Sequence, residues 1–214
     1  MAENTDLGLR LEGVTIALDG RRLLGIDTRI APGEVLTVMG PSGSGKSTLL
    51  AAITGTLPPA FAMTGRVRLD GEDVTDRPTE ARRIGILFQD ELLFPHLSVG
   101  GNLAFGLSPQ VKGRAARRAR IDAALSDIGL EGFAGRDPAT LSGGQRARVA
   151  LMRMLLSDPR ALLLDEAFSK LDAELRGQIR DLVFGIARAR RLPVLQVTHD
   201  AADAAAGGGP IVAL

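Results

Sequence analysis

The nine residues GPSGSGKST, Gly40 to Thr48, constrain the fold more than any other stretch of the chain. They fit the pattern of a glycine, four residues, a second glycine, a lysine and a hydroxyl residue, which works only between a strand and a helix. Both are legible: GEVLTVMG is a short apolar run that stops at a glycine, and KSTLLAAITGTL continues with helical spacing. In that setting the glycines let successive backbone N–H groups converge on phosphate oxygens, while the start of the helix adds its positive end. Lys46 is placed to reach the β and γ phosphates of a nucleotide, and Ser47 to ligate Mg²⁺. Gly40, Pro41, Ser42, Gly43, Ser44, Gly45, Lys46, Ser47 and Thr48 are the candidate nucleotide-binding residues of this loop.

A chain of 214 residues with 45% hydrophobic composition can bury one substantial core, with or without a small lobe. Residues 7–18 alternate loosely and DGRR follows as a turn, so Asp19 and Gly20 are expected to close a hairpin at a β edge. GRVRLDGEDV reads as an exposed strand and turn, and RIGILFQ as a buried strand. From about Leu92 to Pro159 the β signal disappears, and VKGRAARRARIDAALSDIGL and GQRARVALMRMLL are helical. Strand patterns return in ALLLDE, VLQVTH and PIVAL, with the helical LDAELRGQIRDLVFGIARARR between the first two. The expected fold is α/β, a single domain over 1–214. A parallel core with a β edge is drawn from 1–91 and 160–214, and a helical subdomain is inserted at 92–159. AADAAAGGG is the one stretch with the composition of a low-complexity linker.

The formal charge is +1, from 26 basic and 25 acidic residues, so no large net field draws the chain to nucleic acid or to an anionic membrane. The basic run Lys112, Arg114, Arg117, Arg118 and Arg120 has helical spacing and no interleaved aromatic residue, which fits a solvated face better than a nucleic-acid contact. With no cysteine there is no disulfide framework, thiol nucleophile or thiolate metal site. The opening MAENTDLGLRLEG has acidic residues and no apolar centre, so no signal peptide is expected, and no apolar run approaches the roughly 18 residues that span a bilayer.

Three further places carry chemistry. In ALLLDEAF an apolar strand ends in Asp165, which can bring a carboxylate to the Mg²⁺, and Glu166 follows, able to orient an attacking water; taken alone, the two acids fit an N-cap or a surface pair as well. Gln89 follows the strand IGILF, where it either reaches metal or water or is an ordinary loop glutamine, and His199 ends VLQVT before Asp200, placed to contact a γ phosphate or to form an ordinary helix-capping pair. His96, with no charged neighbour in sequence, is read as structural. LSGGQ, Leu141 to Gln145, is a second cradle. Ser142, Gly143 and Gly144 stand at a helix start, and Gln145 follows, but the cradle has no lysine. By itself it binds phosphate too weakly to act alone; it can complete a site whose charge is supplied elsewhere.

In order, GPSGSGKST, LFQDELLFPHLSV, LSGGQRARVAL, ALLLDEAFSKLD and VTHD resemble the ATP-binding subunits of ABC transporters over essentially the whole chain. The resemblance implies a P-loop NTPase core of the RecA-like kind with an N-terminal antiparallel β subdomain and an inserted helical lobe. It also implies an ATPase that uses ATP and Mg²⁺ and dimerises head to tail, so that LSGGQ of one copy presses on the γ phosphate held by the other. Under it Glu166 is the general base, His199 the switch histidine, Gln89 a link between metal and transporter, and Asp172 the aspartate that couples the two sites.

The same resemblance implies membrane permease subunits as partners, a separate solute-binding protein, and a peripheral place on the cytoplasmic side of the bacterial inner membrane. DELLFPHLSVGGNLAFG matches the region that receives a short helix from the permease, so Leu92, Leu93, Phe94 and Leu97 line either that docking groove or the core of the helical lobe. The run around Gln89 is most similar to bacterial importers of the thiamine, iron and polyamine type, with export, or an ABC ATPase uncoupled from transport, as the alternatives. The chain departs from its relatives in the first hairpin, where Ala17 and Leu18 stand about where an adenine-stacking aromatic is usual. Losing that ring predicts roughly fivefold or more weaker nucleotide binding and blurred preference between ATP and GTP. Ala167 replaces the usual proline after the acidic pair, Lys170 occupies a variable position, and no regulatory C-terminal domain is expected after PIVAL.

Overall fold

The computed structural model describes residues 6–214; residues 1–5, part of the stretch read as lacking a signal peptide, lie outside them. Strands β1 (Leu9–Leu18) and β2 (Arg21–Ile30) pair antiparallel with Leu18 opposite Arg21. Asp19 (φ 49°) and Gly20 (φ 77°) form the expected turn, both in the left-handed region that a two-residue hairpin loop requires. After β3 (Val35–Met39) comes helix α1 (Lys46–Thr54), so the predicted strand, loop and helix are in place. Strands β4 (Phe61–Leu69) and β5 (Glu72–Asp73) complete a four-stranded antiparallel sheet in the order β2-β1-β4-β5.

Beyond the short helix α2 (Thr79–Arg82) and strand β6 (Ile84–Phe88), three helices follow: α3 (Val99–Gly106), α4 (Arg114–Asp127) and α5 (Gly143–Leu155). Strand β7 (Ala161–Asp165), helix α6 (Ala173–Ala189), strand β8 (Val194–Thr198), helix α7 (Ala201–Gly207) and strand β9 (Ile211–Ala213) finish the chain. The second sheet has five strands in the order β6-β7-β8-β3-β9, with β3 parallel to β8 and β9, and β7 parallel to β8. Strands β3, β7 and β8 are buried along nearly their whole length, the polar Thr37 and Gln196 included, because both faces of a central parallel strand are covered. Leu36, Val38, Leu49, Leu50, Ile53, Leu163, Leu195 and Val197 are all buried in the core that this sheet shares with β1 and β4.

Two readings from the sequence are corrected. RIGILFQ is not a buried strand: β6 is an edge strand, with Gly85 and Leu87 buried but Ile84 and Ile86 half-buried and Phe88 41% exposed. Its residues alternate in burial, so one face of the strand is fully covered and the other only partly, which its uniformly apolar composition does not reveal. AADAAAGGG is not a linker, because Asp200 caps α7 by accepting from Ala202 N (2.7 Å) and Asp203 N (3.2 Å), and Asp203, Ala204 and Gly207 are buried. Alanine favours helix, and one capping aspartate is enough to start it.

The chain forms two compact units. One runs up to Ile86 and takes in Arg160–Glu166 and Phe184–Leu214; it holds the antiparallel sheet, α1, β3 and β7 to β9. The other comprises Leu87–Pro159 and Ala167–Val183 and holds α3, α4 and α5.

Candidate functional site

Three of the parallel strands deliver chemistry at their carboxyl ends. After β3 the loop Gly40–Gly45 turns through Gly43 (φ 83°) and Gly45 (φ 92°), conformations that side chains rarely adopt, and Gly45 is the residue just before α1. A Cβ on Gly45 would also lie 2.7 Å from Leu24 Cδ2 and 3.1 Å from Leu23 Cδ2, so the first hairpin packs against the loop. Lys46, 6% exposed, folds back over the loop and donates from Nζ to Gly40 O (2.7 Å) and Pro41 O (2.9 Å). Its ammonium thus sits over the backbone that would surround a phosphate, held by carbonyls that a phosphate oxygen can replace. Ser44 Oγ is buried with no hydrogen-bond partner, an orphaned donor inside the same loop. Pro41, Ser42, Gly43 and Ser47 are exposed, while Gly40 and Thr48 are half-buried.

Ser47 Oγ lies 3.4 Å from Asp165 Oδ1 at the end of β7. Burial pushes the Asp165 carboxyl above its ordinary value, and the neighbouring Glu166 charge adds to this, against the opposing hydrogen bond from Ser47 and the charge of Lys46. A carboxylate with this environment gains by meeting a cation. A hydroxyl and a carboxylate side by side fit a hard divalent ion such as Mg²⁺ that takes its other oxygens from phosphate and water. Among the described residues no three His, Cys, Asp or Glu side chains converge, so an all-protein cage is not formed.

Glu166 has φ 48°, a left-handed conformation rare for a side chain of this size, and its N–H donates to Val197 O (3.0 Å) on β8. Strain of this kind is held by surrounding structure and clusters where a side chain must be aimed. Here it aims Glu166 at His199: Oε1 lies 3.2 Å from Nδ1, with the imidazole 61% exposed. The capping partner left open for His199 in the sequence is Asp200 alone; the histidine itself faces the glutamate.

The other unit holds the second cradle. Ser142 is the N-cap of α5 in a reciprocal capping box: its Oγ accepts from Gln145 N (3.3 Å), and Gln145 Oε1 accepts from Ser142 N (3.0 Å). Ser142 Oγ accepts there, so its proton is still available to a ligand. Gly144 is buried, and a Cβ on it would come within 2.5 Å of Leu175 Cδ1, so the second glycine is required by close packing against α6. The serine and glutamine therefore hold the helix start open, and the glycines keep side chains away from it.

Gln89 is exposed directly after β6. Asp172 caps the start of α6, its Oδ1 accepting from Leu175 N (3.0 Å), and Lys170 pairs with Asp90, the residue after Gln89. Of the four apolar candidates, Leu92 is 57% exposed and Leu93, Phe94 and Leu97 are half-buried, so none belongs to a buried core. Sequence reasoning missed Phe105, 70% exposed and in edge contact with Phe94 (centroids 4.7 Å apart). Helical spacing marks it: α3 buries Val99, Asn102 and Leu103, and Phe105 falls off that stripe. His96 is exposed beside Phe94, with ring centroids 5.9 Å apart. Of the basic run, Arg118 pairs with Asp122 (3.7 Å), and Arg117 is spent on the backbone, donating to Ala104 O (2.8 Å) and Val111 O (3.3 Å).

A family model described as "ABC transporter" matches residues 23–169, which takes in the phosphate loop, Gln89, the second cradle and the acidic pair. The chain belongs to the ABC transporter family. Its ATP-binding subunits bind ATP and are ATPases. The chain is 50% identical over 196 residues to the uncharacterized ABC transporter ATP-binding protein YnjD of Escherichia coli (strain K12), covering 91% of this chain and 90% of that one. It is 44% identical to the thiamine import ATP-binding protein ThiQ of Jannaschia sp. (strain CCS1), covering 92% and 84%. To the Fe(3+) ions import ATP-binding protein FbpC of Streptomyces coelicolor it is 45% identical, spanning 96% of this chain and 59% of that longer relative. No helix among the described residues is long and apolar enough to cross a membrane.

Proposed function

We propose that this ATPase dimerises around two ATP molecules and drives solute uptake through separately encoded membrane permease subunits, peripherally bound on the cytoplasmic side of the membrane. Each nucleotide sits on the phosphate loop of one copy and under Ser142, Gly143 and Gly144 of the other. The observation that carries this is the helix start held by the capping box of Ser142 and Gln145, with Ser142 exposed, Gly143 half-buried and no cation within the motif. The positive helix end and the unpaired N–H groups there favour an anion that another site has already neutralised.

Within that site Lys46 leaves Gly40 O and Pro41 O to hold the β and γ phosphates, and Ser44 gains a partner. Ser47 and Asp165 hold Mg²⁺, which supplies charge neutralisation at the phosphate oxygens. Glu166 accepts the proton of the attacking water, His199 orients Glu166 and faces the γ phosphate, and Gln89 attends metal and water. Asp172 faces the second copy. Leu92, Phe94 and Phe105 offer an apolar docking surface to a permease helix, and the import relatives favour uptake, with a solute-binding protein as the further component.

The test is the mass of the Glu166→Gln protein in solution by light scattering. A doubled mass with Mg·ATP and a single mass without it is the expected result. An unchanged mass in protein shown to be saturated with ATP refutes the ATP-bridged dimer for the isolated chain.

A further inference from the structure

Gln89 lies on a segment whose backbone is unusual three residues later, at Leu92. Leu92 has φ 45° while its side chain is 57% exposed, so no buried packing of the leucine explains the left-handed backbone. A conformation of that kind persists only where neighbours hold it. The polar groups that hold this stretch come from α3 and α5. Arg153 Nη1 donates to Leu92 O (2.9 Å), and its Nη2 reaches Glu91 O (3.4 Å). The same guanidinium also touches Asn102 Oδ1 (3.4 Å) and stands 5.1 Å from the Phe94 ring centre.

Asn102 is fully buried and closes the other side of the grip. Its Oδ1 accepts from Phe94 N (2.8 Å), and its Nδ2 donates to Phe94 O (3.1 Å), Leu97 O (3.2 Å) and Ser98 O (3.1 Å). Nearer the start of α5, Arg146 adds an ion pair to Glu91 (3.8 Å). The helix that begins at the cradle thus grips residues 91 and 92 at two places along its length. A guanidinium fork reaching two successive carbonyls fixes both position and direction, which an ammonium cannot do.

We infer that Arg153 is the positioning residue for Gln89, holding the strained turn at Leu92 so that the Gln89 segment and the helix bearing Ser142 shift as one piece. This rests on the role proposed above for Gln89 in turnover. Burial depresses the Arg153 guanidinium from its ordinary value, the cost of keeping a cation among carbonyls, an amide and an aromatic ring.

The experiment is steady-state ATP turnover, with thermal unfolding alongside, for Arg153→Met, Arg153→Lys, Gln89→Ala and the double variant Gln89→Ala with Arg153→Met. The Met variant is expected to lower kcat about tenfold with KM for ATP nearly unchanged, because the reacting geometry rather than nucleotide binding is disturbed. Arg153→Lys keeps the charge without the fork and is expected to stay impaired while folding normally, which keeps the test informative if the Met variant unfolds. Adding Leu92→Gly to either variant is expected to recover part of the turnover, since glycine needs no help to hold φ 45°. The double variant is expected to be no slower than Gln89→Ala alone. Independent, multiplying losses in a folded double variant overturn the inference, as does wild-type kcat in Arg153→Lys. Wild-type turnover in Gln89→Ala is a different failure: it removes Gln89 from the reaction, and the positioning role with it.

Discussion

Nδ1 of His199 lies 3.2 Å from Oε1 of Glu166, and the two side chains come from the ends of β8 and β7, strands that are hydrogen-bonded neighbours. The contact depends on Glu166 accepting φ 48°, so the strain at that residue is the means by which a side chain one step past the strand end turns toward the next strand.

Glu166→Gln is expected to slow hydrolysis by about 10²–10⁴-fold while ATP binding is retained, because the amide cannot take a proton from water but keeps the shape of the acid. Single-turnover rates beside equilibrium nucleotide binding check this. Turnover near that of the wild type removes Glu166 as the base.

Asp165 gives a pH prediction whose sign follows from its raised carboxyl. A folded-state value above the ordinary 3.8 means that the folded chain binds the proton more tightly than the unfolded chain. The ionised form therefore costs stability above that raised value, and the cost vanishes as pH falls below 3.8. Asp165→Asn is expected to raise the melting temperature of the nucleotide-free protein at pH 7, to lose that advantage near pH 4, and to lower Mg²⁺-dependent turnover about a hundredfold or more. Melting curves of both proteins at the two pH values decide it; an equal or lower melting temperature for the variant at pH 7 contradicts the burial cost.

Ser142→Arg is expected to abolish turnover in the assembled enzyme, since a long cation fills the open helix start, yet to leave the monomer's ATP affinity within about twofold, too small a change for a lost phosphate contact. Titration of the monomeric variant with ATP distinguishes the two roles. Weakened binding there means that the cradle serves the nucleotide of its own chain.

The base subsite predicts weak discrimination. Leu18 and Leu23, 36% and 37% exposed, are both aliphatic, and Leu23 lies against Gly45, in the hairpin where the resemblance implies a ring. ATP and GTP are expected to bind within about fivefold of each other, and Leu18→Tyr to tighten ATP by roughly the same factor. Rejection of GTP by a hundredfold in the native protein shows that another group reads the base.

Arg82 is expected to matter for stability alone. It is 6% exposed and donates to Ala52 O (3.0 Å), Ile53 O (2.9 Å), Arg77 O (2.8 Å) and Thr75 O, closing the C-terminal end of the helix that begins at Lys46. Arg82→Met removes the donor of the buried Ile53 carbonyl and leaves Ala52 O with Gly55 N alone, at a cost of about 2 kcal/mol. Denaturant unfolding measures it; a loss under about 0.5 kcal/mol, the range of an ordinary surface change, refutes the capping role.

Much of this protein was legible in the amino-acid order by itself. The strand, loop and helix around Gly40–Thr48 rest on local pattern, since a glycine loop between an apolar run and a helical repeat has few other ways to fold. The same holds for the turn at Asp19 and Gly20 and for the strands ending at Asp165 and Thr198. Tertiary structure decided what has no local signature. Edge or centre is a property of neighbours, so the apolar β6 could not reveal that only one side of it is paired. AADAAAGGG reads as a linker until the capping of Asp200 and the burial of Ala204 make it a helix. The strained backbones at Glu166 and Leu92, and the arginine that reaches across 61 positions to hold the second of these, depend on contacts between residues remote in the chain. Periodicity records which side of an element is covered, but the partner that covers it, and the conformations it can force, are set only when the chain has closed on itself.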